Sequence, residues 1–269
     1  MRGASRASYA ELRERLDSAL PGPVLADMVG DELFAVVRLL DSEHGLRRAL
    51  ADTTKPSPEK AAVARRLLHG KVSEQTEDLV AEAAAARWAS PGDLADAIER
   101  LAIEAYALAA QLDGTLDNLE DDLFRFSRVV SGQPGLRSAL IGPAPVGAKG
   151  DLVNNLLEGK VSSPSLSLIS QVLTHPRGRS PQAALDLCAG IAARRREQLI
   201  AVVRVATELT AEQRRRLAST LTEAYGRAIH LNVVHDPAVI GGVSVEIGDE
   251  LIDGTAVSRL AAVRRRLGG

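Results

Sequence analysis

Apolar residues recur at helical spacing through most of the first two hundred positions and at strand spacing only near the end. Tyr9, Leu12, Leu16 and Leu20 share one helical face, which predicts a helix over Ser8 to Leu20 with Ser8 and Glu11 as a capping-box pair. Pro21-Gly22-Pro23 ends it. Leu33, Val37 and Leu40 form the next stripe, broken at Gly45, and Pro56 and Pro58 mark a loop. Helices are expected over Lys60 to Leu68 and Glu74 to Ala89, then from Ser90-Pro91, as N-cap and first helical residue, through Leu112. Asp113-Gly114 closes this stretch.

The same plan then repeats. Asp31-Glu-Leu-Phe34 recurs as Asp121-Asp-Leu-Phe124, and Gly45-Leu-Arg-Arg-Ala-Leu50 as Gly135-Leu-Arg-Ser-Ala-Leu140. Leu67-Leu-His-Gly-Lys-Val-Ser73 recurs as Leu156-Leu-Glu-Gly-Lys-Val-Ser162, and Ser90-Pro91 as Ser180-Pro181. Arg38 and Arg87 match Arg128 and Arg177. The offsets of 90, 90, 89 and 90 hold register through four blocks, which chance matching would not do, so the chain contains an internal duplication. The second copy has a more open connector at Gly142 to Gly147 and a polar loop expected at Ser162 to Ser165. Two repeats favour tandem bundles over a solenoid.

Beyond Gln198 the period changes. Leu199 to Val205 is short, apolar and β-branched, as a buried strand is. Thr210 and Gln213 form a capping-box pair for a helix whose face carries Leu217, Leu221, Ala224 and Ala228. Ile229, Leu231 and Val233 alternate with polar residues, as do Val243, Val245 and Ile247. Gly248-Asp249 reads as a two-residue hairpin turn into a strand over Glu250 to Asp253, and Thr255 onward as a last helix. Gly241-Gly242 reads as a tight entry into the hairpin strand, and Asp253-Gly254 as its exit. The expected fold is mainly α: two tandem helical bundle modules, residues 1–114 with leading helix 8–20 and residues 115–197, followed by a small C-terminal α/β domain with a short β-sheet at 198–269.

Composition narrows the function classes. A formal net charge of −2 gives no global field toward nucleic acid or anionic lipid. The charge is unevenly placed, with thirteen acids against two arginines between Ser73 and Asp122, and arginine triplets at 194–196, 214–216 and 264–266. The triplets fall on separate helices and aromatics are scarce, so no nucleic-acid partner is expected. No signal peptide follows Met1, and no apolar run approaches a membrane span. Cys188, the single cysteine, lies in an apolar run and reads as core filler in a reducing compartment.

Catalytic constellations fail on detail. Gly142 to Lys149 resembles a phosphate loop, yet Ala148 precedes Lys149 and no Ser or Thr follows it. The five histidines, His44, His69, His175, His230 and His235, lack ligand spacing, and His230 and His235 point to opposite faces of one strand. Catalytic, metal and cofactor-binding residues are therefore all expected to be none.

One stretch carries a resemblance. Asp236-Pro-Ala-Val-Ile-Gly-Gly-Val-Ser-Val-Glu-Ile-Gly-Asp-Glu-Leu-Ile-Asp-Gly-Thr255, followed by an Arg-rich helix, closely resembles the C-terminal signature of the delta subunits of F-type ATP synthases, relatives of the oligomycin-sensitivity-conferring protein. The Tyr9-Ala10 helix, the Gly-Leu-Arg and Gly-Lys-Val-Ser blocks and the Leu209-Thr-Ala-Glu-Gln213 helix start fit the same family. The duplicated module departs from its usual single helical domain and looks like the enlarged actinobacterial form. The resemblance implies a non-catalytic stator part. Its helical region would hold the alpha subunits of the alpha/beta head, with Tyr9, Leu12 and Leu16 as candidate contacts. Its C-terminal domain, marked by Asp236, Pro237, Gly241, Gly242, Gly248, Asp249, Asp253 and Gly254, would hold the membrane-anchored b subunits. It further implies a peripheral position at the cytoplasmic face of the bacterial plasma membrane, reached through partners, with no homo-oligomer. Two other readings stand beside it: a helical-repeat adaptor unrelated to the synthase, and a small α/β enzyme seating an anion at Gly241-Gly242.

Overall fold

A computed structural model describes residues 3–196, 199–207, 209–226, 229–236, 239, 242–247 and 250–253. The chain forms two compact units, Met1–Arg195 and Arg196–Gly269. The first is all helix: α1 Ala4–Ala19, α2 Pro23–Ser42, α3 His44–Ala51, α4 Ser57–Leu68, α5 Glu74–Ala85, α6 Pro91–Leu112, α7 Leu116–Gly132, α8 Pro134–Ile141, α9 Val146–Leu157, α10 Ser163–Thr174 and α11 Pro181–Arg196. The second holds β1 Leu199–Val205, α12 Ala211–Tyr225, β2 Ile229–His235, β3 Val243–Ile247 and β4 Glu250–Asp253. The mainly α fold with a small C-terminal α/β portion agrees with the sequence pattern.

The duplication is visible element by element. Helices α2 to α6 are matched in order by α7 to α11, with α3 and α8 starting at His44 and Pro134, and α5 and α10 at Glu74 and Ser163. Local chemistry is repeated too. Ser73 caps α5 by accepting from the Thr76 N–H, and Ser162 caps α10 by accepting from the Ser165 N–H. Each cap is held by an acid of its own copy, on α2 or its counterpart α7: the Ser73 N–H and hydroxyl donate to Glu32, and the Ser162 N–H donates to Asp122. Gly70 and Gly159, which precede these caps, both adopt left-handed backbone (φ 70° and 71°), where a side chain would strain. Ser162 to Ser165 is therefore not a loop but a capped helix start.

The two copies share one core. Buried apolar side chains run without interruption from Leu12 on α1 to Ala192 on α11. No break in this packing falls at 114/115. Helix α6 is the spine: Leu94, Ile98, Leu101, Ile103, Tyr106 and seven alanines from Ala95 to Ala110 are all essentially solvent-free. A helix apolar all round is buried all round, and its alanines let neighbours approach closely. Helix α2 exploits this at Gly30, where an added Cβ would lie 2.8 Å from the Tyr106 ring. Gly30→Ala should therefore destabilise the chain by roughly 1–2 kcal/mol in urea unfolding, overpacking outweighing the helix propensity that alanine gains.

Two local expectations change. Helix α1 starts at Ala4, so Ser8 sits inside it and does not cap it; its hydroxyl donates to the Arg87 carbonyl, 2.9 Å away, while Ser5 donates to Asp93. Tertiary contacts have claimed the side chains that the local pattern assigned to a cap. Helix α5 ends at Ala85, short of Ala89, as the Trp88 indole N–H donates to the Ala83 carbonyl and buries the ring beneath the helix end.

In the second unit the sheet order is β2-β1-β3-β4. Strands β1 and β2 run parallel, joined through α12, and β3 pairs antiparallel with β1 and β4. The central strand buries Ala201, Val203 and Val205 against Leu217 and Leu221 of α12. The capping box of Thr210 and Gln213 is formed. Ile247 stands opposite Glu250, as a two-residue hairpin connection requires. The turn residues Gly248 and Asp249, and the expected last helix from Thr255, lie outside the described residues.

Candidate functional site

Helix α1 lies against α5 and α6, and its placement decides what Tyr9, Leu12 and Leu16 can do. Leu16 is completely buried and Leu12 nearly so, both as core residues. The half-buried Tyr9 donates to Glu104 of α6 at 3.1 Å, and burial together with Glu104 pushes its phenol above the usual range. Leu12 also lines a shallow surface groove between α1 and α5, together with Ser8, Glu11, Arg15, Glu82, Ala85 and Ala86. The groove continues over Ala19, Glu74, Gln75, Asp78 and Leu79. Its floor is apolar and its rim acidic, with Arg15 paired to Glu82 across it at 3.0 Å. Of the predicted contact residues, the structure brings Leu12 alone to the groove, whose rim is formed by Glu11, Arg15, Glu74, Asp78 and Glu82. Glu74, Asp78 and Glu82 belong to the acid excess that begins after Ser73.

A second element missed by the repeat comparison is the first helix of copy two. Tyr9-Ala10 and Leu16-Asp17-Ser-Ala-Leu20 recur as Tyr106-Ala107 and Leu112-Asp113-Gly-Thr-Leu116. The counterpart of α1 is thus the C-terminal half of α6, which ends one copy and begins the next. The offset here is 97 and then 96, because the link to the Leu-Phe block is shorter in copy two, and a search held at 90 passes over it.

Buried charge pins the copies together along α6. Glu104 receives the Arg195 guanidinium at 2.8 Å, and the same arginine donates to Asp17 of α1 and to Gln111. Arg195, Glu104 and Asp17 are all almost fully buried. One turn and a half earlier, Glu99 receives Arg177 at 2.6 Å and Arg179 at 2.6 and 2.8 Å. Arg177 also pairs with Asp41 and Asp96. Burial works against its charge, but the Asp41 hydrogen bond and the surrounding carboxylates hold its pKa above the ordinary arginine value. Arg177 is the one described non-glycine residue with a left-handed backbone (φ 50°), a strain its three carboxylate partners offset. A carboxylate stripe on a buried helix invites a reading as catalytic; here each acid is matched by a guanidinium, which makes it structural.

In the second unit, the Asp236 N–H donates to the Val205 carbonyl at 2.9 Å and its carbonyl accepts from Val239, so it turns the chain at the end of β2. Gly242 enters β3 with φ 82°, and Asp253 pairs with Ser244. Pro237, Gly241, Gly248, Asp249 and Gly254 lie outside the described residues. Among the described residues there is no group of three or more His, Cys, Asp or Glu placed to hold a metal, and no helix long and apolar enough to cross a membrane. Cys188 is fully buried and burial pushes its thiol well up, so a thiol reagent should modify the native chain hardly at all and the unfolded chain once, read by mass spectrometry.

The family model described as "ATP synthase delta (OSCP) subunit" matches residues 99–267, starting inside α6 and so taking in the second copy with its fused first helix. A protein named "ATP synthase subunit delta" from Thermobifida fusca is 45% identical, with 100% of each chain covered. One of the same name from Streptomyces griseus is 45% identical over 100% of each, and one from Kineococcus radiotolerans is 44% identical over 99% of this chain and 98% of its own. With both the duplicated helical unit and the C-terminal unit inside these alignments, the chain belongs to the ATP synthase delta (OSCP) subunit family.

Proposed function

We propose that the chain is a peripheral-stalk subunit of a proton-translocating F-type ATP synthase, joining the alpha/beta head to the membrane-anchored b subunits at the cytoplasmic face of the plasma membrane. The observation that carries this reading is the full-length likeness to proteins named as delta subunits. The first unit supports it with the α1–α5 groove, whose apolar floor and long polar rim suit a helical segment of an alpha subunit. Leu12 contacts that segment, while Tyr9 and Leu16 position α1 from beneath. The second unit, built on the segment from Asp236 to Asp253, takes the b subunits. The role is mechanical: it holds the head against rotor torque and transforms no substrate. A rigid linker suits that role, and the buried arginine–carboxylate seam along α6 makes the two helical copies one body.

The test is a strain lacking this chain, complemented with it. Restored chain should co-purify with the head and the b subunits, and coupled ATP synthesis should return, whereas without it ATP hydrolysis persists on a detached head and synthesis falls to background. A deletion strain that still couples, or a chain that captures neither head nor b subunits, rejects the stator and favours a free helical adaptor.

A further inference from the structure

We infer that the joint α2 makes on copy two is a pairing the duplication could extend from chain to chain, and that Glu120 and Glu82 keep a second copy of this chain from extending it. Inside the molecule, α2 seats on α6 and α10 through a short polar chain and a ring contact. The Tyr106 hydroxyl donates to Asp31 at 2.5 Å, and the Gln171 amide donates to the same carboxylate at 2.8 Å. The Gln171 side-chain carbonyl in turn accepts from Arg38 at 2.9 Å. Phe34 is buried, its ring centroid 6.1 Å from that of Tyr106. Gly30 lets the Tyr106 ring come within 2.8 Å of where a Cβ would stand.

Both halves of this joint recur. The presenting half recurs on α7, where Asp121, Phe124 and Arg128 match Asp31, Phe34 and Arg38. There the face is bare among the described residues. Phe124 is 58% exposed, Arg128 lies over its ring at 6.0 Å, and Asp121 pairs with the exposed Arg125 of its own helix at 3.5 Å. The receiving half recurs on α1 and α5, where Tyr9 matches Tyr106 and Glu82 matches Gln171. The presenting and receiving faces lie on different helices. A chain that docked this way would still offer one of each, so docking would run on from copy to copy without closing.

Two of the matched positions differ in chemistry, and both differences oppose that docking. Glu82 has no proton to donate, so Asp121 would lose the bond that Gln171 gives Asp31, and two carboxylates would meet as water left. Tyr9 supplies no replacement, since its hydroxyl is given to Glu104 of its own chain at 3.1 Å. The attraction of Arg128 to Glu82 offsets this in part, but Glu82 already pairs with Arg15 at 3.0 Å. On the presenting face, Glu120 stands where α2 has Gly30, so a carboxylate side chain fills the space into which a ring would have to come. Each end of the duplicated array thus keeps the pattern of the internal joint and carries one acid that spoils it.

Sedimentation equilibrium of the full chain over a concentration series is the test. The natural sequence should stay monomeric. Glu82→Gln combined with Glu120→Gly restores the residues of the internal joint and should lower the dissociation constant for self-association at least about tenfold. Phe124→Ala added to that pair should return the monomer. Trp88 fluorescence in urea checks that each variant keeps its first unit folded. If Glu120→Gly weakens α7, Glu120→Ala removes the carboxylate and keeps the helix propensity. A natural chain that already associates through Phe124 overturns the block. A double variant that is folded and still monomeric overturns the joint as an extendable pairing. Association that survives Phe124→Ala overturns α7 as the presenting face.

Discussion

Arg195→Ala should cost roughly 3–5 kcal/mol, the largest single-residue effect expected outside the packed apolar core. Its guanidinium reaches from α11 to Asp17 of α1 and to Glu104 and Gln111 of α6, and its side chain is 3% exposed. Deleting it leaves the Glu104 carboxylate buried without the charge that offsets its desolvation. Trp88, the single tryptophan, is buried in the first unit, so its fluorescence in a urea titration follows that unit alone. The thermal midpoint should fall on the order of 10 °C for a unit of this size. The sign of the pair's own contribution is a separate matter. Arg195→Met combined with Glu104→Gln and Asp17→Asn removes the charges together and should recover most of the loss, because a buried ion pair scarcely outperforms an apolar or neutral replacement. A triple variant no better than Arg195→Ala alone would show that packing of the arginine stem, not charge, holds the seam.

Tyr106→Ala should be comparable, about 3–5 kcal/mol, through the cavity left beneath Gly30 and Phe34. Tyr106→Phe separates the ring from its hydroxyl. It should cost only about 1–2 kcal/mol, since Asp31 keeps its hydrogen bond from Gln171. Urea unfolding followed by Trp88 fluorescence reads both variants. An alanine variant no less stable than Tyr106→Phe would mean that the hydroxyl bond to Asp31, not the ring, holds α2 on α6.

Much of this architecture was legible along the chain. The helical periodicity, the four blocks in register, the strand alternation at Ile229 and Val243 and the Thr210 capping box are local patterns, each set by residues within a few turns of one another. What failed shares a cause. Ser8 looked like a cap because a serine followed by Glu11 is a cap when nothing else competes, but the Arg87 carbonyl lay within reach. Tyr9 and Leu16 looked like part of a docking stripe because one helix cannot reveal whether its apolar face meets a partner or its own core. The fused helix went unseen because the Pro-Gly-Pro stop after α1 has no counterpart after Leu116, and continuous helix conceals a repeat boundary.

The sequence by itself determined the helices and strands, their order and the fact of the duplication, because these follow from periodicity, capping and turn residues acting over short distances. It also carried the family resemblance, through the segment from Asp236 to Thr255. Only the tertiary structure decided that two copies make one core, that Glu99 and Glu104 are structural acids matched by Arg177, Arg179 and Arg195, and that Tyr106 and Gln171 both donate to Asp31 of α2. Those outcomes depend on which side chains meet across the roughly 80 to 140 residues between Asp31 and Gln171 or Glu99 and Arg179. Burial and charge pairing at such separations are properties of the packed molecule, and no local pattern records them.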